Sequence, residues 1–264
     1  MVDEPRAFVR RVLVVLDASP QNPAVLESAA ELAARLRSEL LAMFVEDANL
    51  LRLAELPFLR AVDPFSGVVR ELNGMTMERG MRAYARRAQE TLRQVAAGRR
   101  VRWSFRTVQG TGISSAVSAA SGTDLIVLSS PAGLADEGVR ELLAERGGAV
   151  LVLSGRLRPG GTVVVVWSGD PESDRALEAA AYLAGSWRAP LVLLVPPELS
   201  GGSAPEVPRL PGAASRTLRR FDEPCLSGVL REVGGTGLLV LPFSAGIKLR
   251  GLFEEGRWPV LLVA

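Results

Sequence analysis

Two apolar runs in this chain end in groups able to meet a ligand. Val12 to Leu16 closes on the carboxylate of Asp17, with Ser19 just behind it, and Leu125 to Leu128 closes on the hydroxyls of Ser129 and Ser130. A carboxylate so placed can act as an acid or base, or cap its own loop, whereas paired hydroxyls can hydrogen-bond a small polar ligand. Acid–base chemistry needs a second group, and Asp17 has no evident companion in the sequence. The chain contains no histidine, which removes Ser-His and Cys-His nucleophile pairs, histidine metal sites and the commonest general base near neutral pH. Only Lys248 among the 31 basic residues is lysine, and no glycine-rich loop of P-loop form precedes it. Cys225 stands alone, so it forms no internal disulfide, lacks a metal-ligand companion, and reads as a small buried or half-buried side chain. These residues predict binding or regulation, with no catalysis, no metal and no obligatory cofactor.

Open α/β sheets place their sites at the carboxyl edge of the strands, so the elements around these residues decide what they can reach. Val12 to Asp17 reads as a strand buried on both faces. Asn22 and Pro23 mark an N-cap and a first helical position, after which Val25, Ala29, Leu32, Ala33 and Leu36 share one helical face. Leu40 to Val45 is the next strand. Shifting the chain by 151 residues lays Val12 to Asp47 on Val163 to Glu198 without a gap. Ser168 then takes the place of Asp17, Ser173 stands at the cap position, and Ala176, Ala180, Leu183, Ala184 and Trp187 repeat the apolar face. A shift of 113 lays Gly122 to Leu128 on Gly235 to Leu241. The sequence therefore reads as a tandem duplication. We expect a first domain over 1–155 with an insertion at about 47–100, a Pro-Gly-Gly linker, and a shorter second domain over 162–264.

In the first half the pattern predicts an irregular apolar segment from Ala48 to Gly74, then a helix from Thr76 to Ala97 with Met81, Tyr84, Ala88, Leu92 and Val95 inward. A strand over Val101 to Val108, a helix over Ile113 to Ala120, the strand Leu125 to Leu128, a helix over Glu137 to Arg146 and a closing strand Ala149 to Leu153 follow. The second half replaces the long helix by a Gly-, Ser- and Pro-rich loop, Glu198 to Ala213. It continues with a strand over Thr217 to Phe221, a helix over Cys225 to Val233, the strand Leu238 to Leu241, a helical stretch Ile247 to Glu255 and the strand Val260 to Val263. The expected fold is α/β, with two tandem five-stranded, mostly parallel Rossmann-like sheets whose closing strands pair the halves about a pseudo-twofold axis.

Apolar residues make up 48% of the 264 positions and charged residues 23%, an ordinary globular balance. No apolar run approaches the roughly 18 residues of a membrane helix, and the first residues lack a signal-type apolar run, so a cytoplasmic protein with no membrane partner is expected. A net charge of +2 argues against nucleic-acid binding by bulk charge. Nine arginines between Glu78 and Arg106 stand beside only Glu78 and Glu90, a local charge of +7 that reads first as a solvated helix face, with a grip on nucleic-acid phosphates as the alternative. Leu50, Leu51, Leu53, Leu56, Phe58, Leu59 and Phe65 are too apolar to stand together in water. They are expected to cover the edge of the first sheet, across the mouth of its pocket, or to dock a protein partner or a second copy.

The stretches VLVVLDASPQNPAVLESAAELAARL, TDLIVLSS and AVLVLS together resemble the universal stress protein family, in two copies over nearly the whole chain. The resemblance implies small α/β domains of adenine nucleotide alpha hydrolase-like fold, paired through their last strands, some members of which bind ATP. It matches Asp17, with Ser19 close behind, to the family's strand-end aspartate, and Val45 to the position whose backbone contacts the base. The family's phosphate turn, G-x2-G-x9-G-[ST], is not matched. Ser129 and Ala132 stand at its first two glycines in the first half, Pro242 and Ala245 in the second, and Pro242 has no amide to donate. The resemblance thus implies degraded nucleotide sites in a stress-response protein. The alternative it leaves is ATP or AMP bound by the first half only.

Overall fold

The computed structural model describes residues 9–18, 22–54, 60–62, 69–71, 74–110, 113–119, 125–129, 141, 143, 148–153, 156–196, 215–220, 226–233, 237–243 and 258–264. Ser19, Ser130, Cys225, the loop 198–213, the stretch 247–255 and most of the expected helix at 137–146 lie outside the described residues. The first half runs β1 (Arg11–Leu16), α1 (Asn22–Leu36), β2 (Glu39–Asp47), α2 (Ala48–Ala54), β3 (Arg60–Val62), β4 (Val69–Glu71), α3 (Gly74–Arg99), β5 (Trp103–Gly110), α4 (Ile113–Ala119), β6 (Leu125–Leu128) and β7 (Ala149–Val152). The second runs β8 (Thr162–Val166), α5 (Pro171–Trp187), β9 (Pro190–Val195), β10 (Ser215–Arg220), α6 (Leu226–Val233), β11 (Gly237–Pro242) and β12 (Val260–Val263).

Strands alternate with helices because continuous apolar runs of four to six residues, rich in Val, Ile and Leu, alternate with stretches of helical period. Within each half every pairing in the sheet is parallel, and the order is the same: β5-β2-β1-β6-β7 in one half and β10-β9-β8-β11-β12 in the other. The two sheets expected from the sequence are in fact one sheet of ten strands. The closing strands join antiparallel, with Leu151 opposite Leu261, so each covers the edge that the other's half would leave open. The pseudo-twofold shows again where Ser186 Oγ donates to the Arg35 carbonyl at 3.4 Å, two positions that the 151-residue offset equates.

One face of this sheet carries α1, α3 and α5 over a single apolar core that runs through both halves, from Val12 and Phe44 to Val163 and Leu193. The opposite face holds two separate cores, one under α4 around Met43 and Ile126, the other under α6 around Val192 and Trp258. The segment joining the halves belongs to the shared core: Leu157 is buried, its amide donates to Ser28 Oγ at 3.1 Å, and Arg156 pairs with Glu27.

Three local expectations are corrected. The segment 48–74 is not wholly irregular, since α2 and the antiparallel pair β3–β4 form within it. On α3 the inward residues are Met81, Ala85, Ala88, Leu92 and Ala96, and Tyr84 is 46% exposed. The small alanines let the helix approach the sheet, which turns the seam away from Tyr84. Ser173 is not the N-cap of α5. Asp170 is the cap, accepting from the Glu172 and Ser173 amides, while Ser173 Oγ closes the reciprocal bond as the third helical residue.

Candidate functional site

In each half the strand order reverses direction between the first and fourth strands, β1 and β6 or β8 and β11, and a doubly wound sheet opens its ligand crevice at that point. In the first half Asp17 follows β1 directly and is exposed, and Ser129 follows β6 and is half-buried. Continuing the register Val14 to Val127 sets Ser129 level with Leu16, one residue short of Asp17. Val45 sits two strands from β6. Its side chain is 8% exposed and packs into the core under α4. β1 stops at Leu16 opposite Phe44, whereas β2 runs on beside β5 as far as Asp47 opposite Gly110. From Val45 onward β2 therefore overhangs β1, and its backbone on that side faces the crevice. The structure thus sets Asp17, Val45 and Ser129 at neighbouring strand ends on the carboxyl edge of the sheet; Ser19 and Ser130 lie outside the described residues.

Two further groups close this edge. Glu46 is 9% exposed, and Gln109 Nε2 on the neighbouring strand donates to its Oε2 at 3.3 Å. Asp47 Oδ1 accepts from the Asn49 amide at 2.8 Å, so the carboxylate starts α2 and is not offered to the crevice. The helix carries Leu50 and Leu53 41% and 46% exposed, against the expectation that these leucines are covered. The other apolar residues of that segment, Leu56 to Phe65, lie among the positions whose surroundings are outside the described residues. Nothing in the sequence marked Glu46, because its burial goes with the β2–β5 pairing, which joins residues far apart in the chain.

The second half treats the same edge differently. Trp167 is buried and its Nε1 donates to Asp174 Oδ1 at 2.7 Å, fixing the first turn of α5 to the end of β8. Ser168, at the position of Asp17, donates through its Oγ to Asp170 Oδ2. That bond first, with the Ser173 and Glu172 amides adding to it, holds the Asp170 carboxyl below its ordinary range against the opposing effect of burial. The amides that a helix N-terminus can turn toward an anion are thereby already in use. At the end of β11 Pro242 has no N–H, and the Phe243 amide donates to the Val263 carbonyl at 2.8 Å. Asp170-Pro171-Glu172-Ser173 was readable as a cap signature: an acceptor, a proline at the first helical position and a hydroxyl three residues on.

No protein-family model matches this sequence, and no curated protein matches it. Solved structures do. A universal stress protein from Archaeoglobus fulgidus DSM 4304 superposes over 97% of this chain and 96% of its own, with a TM-score of 0.64 and 14% identity. A protein of unknown function from Pseudomonas aeruginosa PAO1 superposes over 97% of this chain and 92% of its own, with a TM-score of 0.57 and 15% identity. Identities this low speak for architecture, and the architecture of this chain is that of the universal stress proteins.

Proposed function

We propose that the chain is a stress-response binding or regulatory protein of the universal stress type, cytoplasmic and non-catalytic, with degraded nucleotide sites. The carrying observation is the end of β11, where Pro242 has no donor and the Phe243 amide is bound into the sheet. A phosphate cradle is built from free backbone amides, and the described start of that turn, Pro242 and Phe243, offers none. A crevice bordered by Asp17 and Ser129, with no histidine in the chain, is better suited to holding a ligand than to moving its protons. Calorimetric titration of the whole chain with ATP and AMP tests this, and the expected result is no micromolar binding.

The overhang of β2 past β1 favours a second reading, in which the first half alone takes ATP or AMP. The base would then lie against the backbone at Val45. One molar equivalent of nucleotide, weakened by Asp17→Ala, would replace the first reading with this one; two equivalents would contradict both.

A further inference from the structure

We propose that the outer face of α3, with the turn that follows it and the open edge of β5, binds the phosphate backbone of single-stranded nucleic acid. With +7 in this stretch and +2 for the whole chain, the rest of the protein carries −5, so the positive charge is local and not a general habit of the sequence. Arg82, Arg93 and Arg99 are engaged by Glu78, Glu90 and Glu31. Arg79, Arg86, Arg87, Arg100, Arg102 and Arg106 are exposed and make no ion pair with a described residue. Arg79, Arg82, Arg86 and Arg93 recur along one side of the solvent face, a row about 21 Å long at 1.5 Å per residue. Arginine's planar fork suits phosphate oxygens, and on the other flank of the solvent face the exposed ring of Tyr84 stands one turn before Arg87, where an unpaired base can stack.

The geometry selects the single strand. Residues from Met81 to Ala96 seat α3 on the core along its length, so the helix lies flat and cannot enter a duplex groove. Its apolar side is already covered, which leaves no face to insert into a bilayer. β5 ends the ten-stranded sheet, and among the described residues no strand pairs with its outer edge. Among the described residues the second half has no counterpart of this long helix between β9 and β10.

Fluorescence anisotropy of a labelled oligothymidine of about 20 nucleotides, titrated with the whole chain at about 50 mM salt, reads the interaction directly. Binding is expected to weaken with salt at a log–log slope of about −0.7 per phosphate contacted, near −3 for four contacts. The triple variant Arg79→Gln, Arg86→Gln, Arg87→Gln is expected to lose about tenfold or more in affinity with an unchanged unfolding midpoint. Arg158→Gln, an exposed arginine of the joining segment, is expected to bind like the parent. No binding at about 50 mM salt, or a triple variant that binds as well as the parent, overturns the proposal. Retention on phosphatidylglycerol vesicles or inorganic polyphosphate with none on the oligonucleotide overturns it as well.

Discussion

At the carboxyl ends of β8 and β11 the second half binds its own polar groups to one another. Trp167 is tied to Asp174, Ser168 to Asp170, Asp170 to the first amides of α5, and the Phe243 amide to Val263. At the corresponding ends of β1 and β6 the first half leaves Asp17 exposed, Ser129 half-buried and the end of β2 overhanging its neighbour. One strand order thus supports two differently furnished edges, one fastened by Trp167 and the Asp170 cap, the other carrying an exposed Asp17 beside the bonded carboxylates of Glu46 and Asp47. The difference teaches that the topology supplies a crevice, and that a few side chains at the strand ends decide how it is furnished. The asymmetry extends outward, since the half with the exposed Asp17 also carries α2 and the arginine-faced α3.

The strongest way to break this comparison is to remove the wedge. Trp167→Ala deletes a buried ring and its bond to Asp174, and is expected to cost about 3–5 kcal/mol in urea unfolding. A cost below about 1 kcal/mol would mean that the second edge is not held shut by this residue. A smaller effect isolates the cap. Asp170→Asn keeps a capping oxygen but removes the charge beside the helix N-terminus, and is expected to cost about 0.3–1 kcal/mol near neutral pH, with a pH dependence whose direction is fixed. The folded pKa of Asp170 is lowered, so its stabilisation is complete above the unfolded value of about 3.9 and is lost as pH falls through the folded one. The gap between parent and variant in urea midpoint should therefore hold from about pH 7 to 5 and close below about pH 4. The smallest effect belongs to the first half, where the carboxylate is exposed. Asp17→Asn, at an exposed carboxylate, is expected to change stability by about 0.5 kcal/mol or less. A loss equal to that of Asp170→Asn would make Asp17 a structural cap and the two edges alike.

Much of the fold was legible because it rests on local patterning. The apolar strands, the α1 and α5 stripes and the shared order of elements in the two halves all appear as periodicities, and β12 was bounded to the residue. Where the reading slipped, geometry outside the local pattern was the cause. Tyr84 matches an inward position by spacing, but the alanines at 85, 88 and 96 set the depth of α3 and turn the ring outward. Ser173 sits at the position aligned with Asn22, but the Asp170 carboxylate reaches the same amides from a better place.

The sequence by itself determined the α/β class, the repeated opening unit, the closing strands as the joining elements and the placement of Asp17 and Ser129 at strand ends, because each follows from residue type and period along the chain. Tertiary structure alone decided that the two layers fuse into one sheet, that Glu46 is buried against Gln109, that β2 outruns β1, and that the arginines of α3 face water. Those outcomes depend on register and on which surfaces meet, and both are set by contacts between residues far apart in the chain.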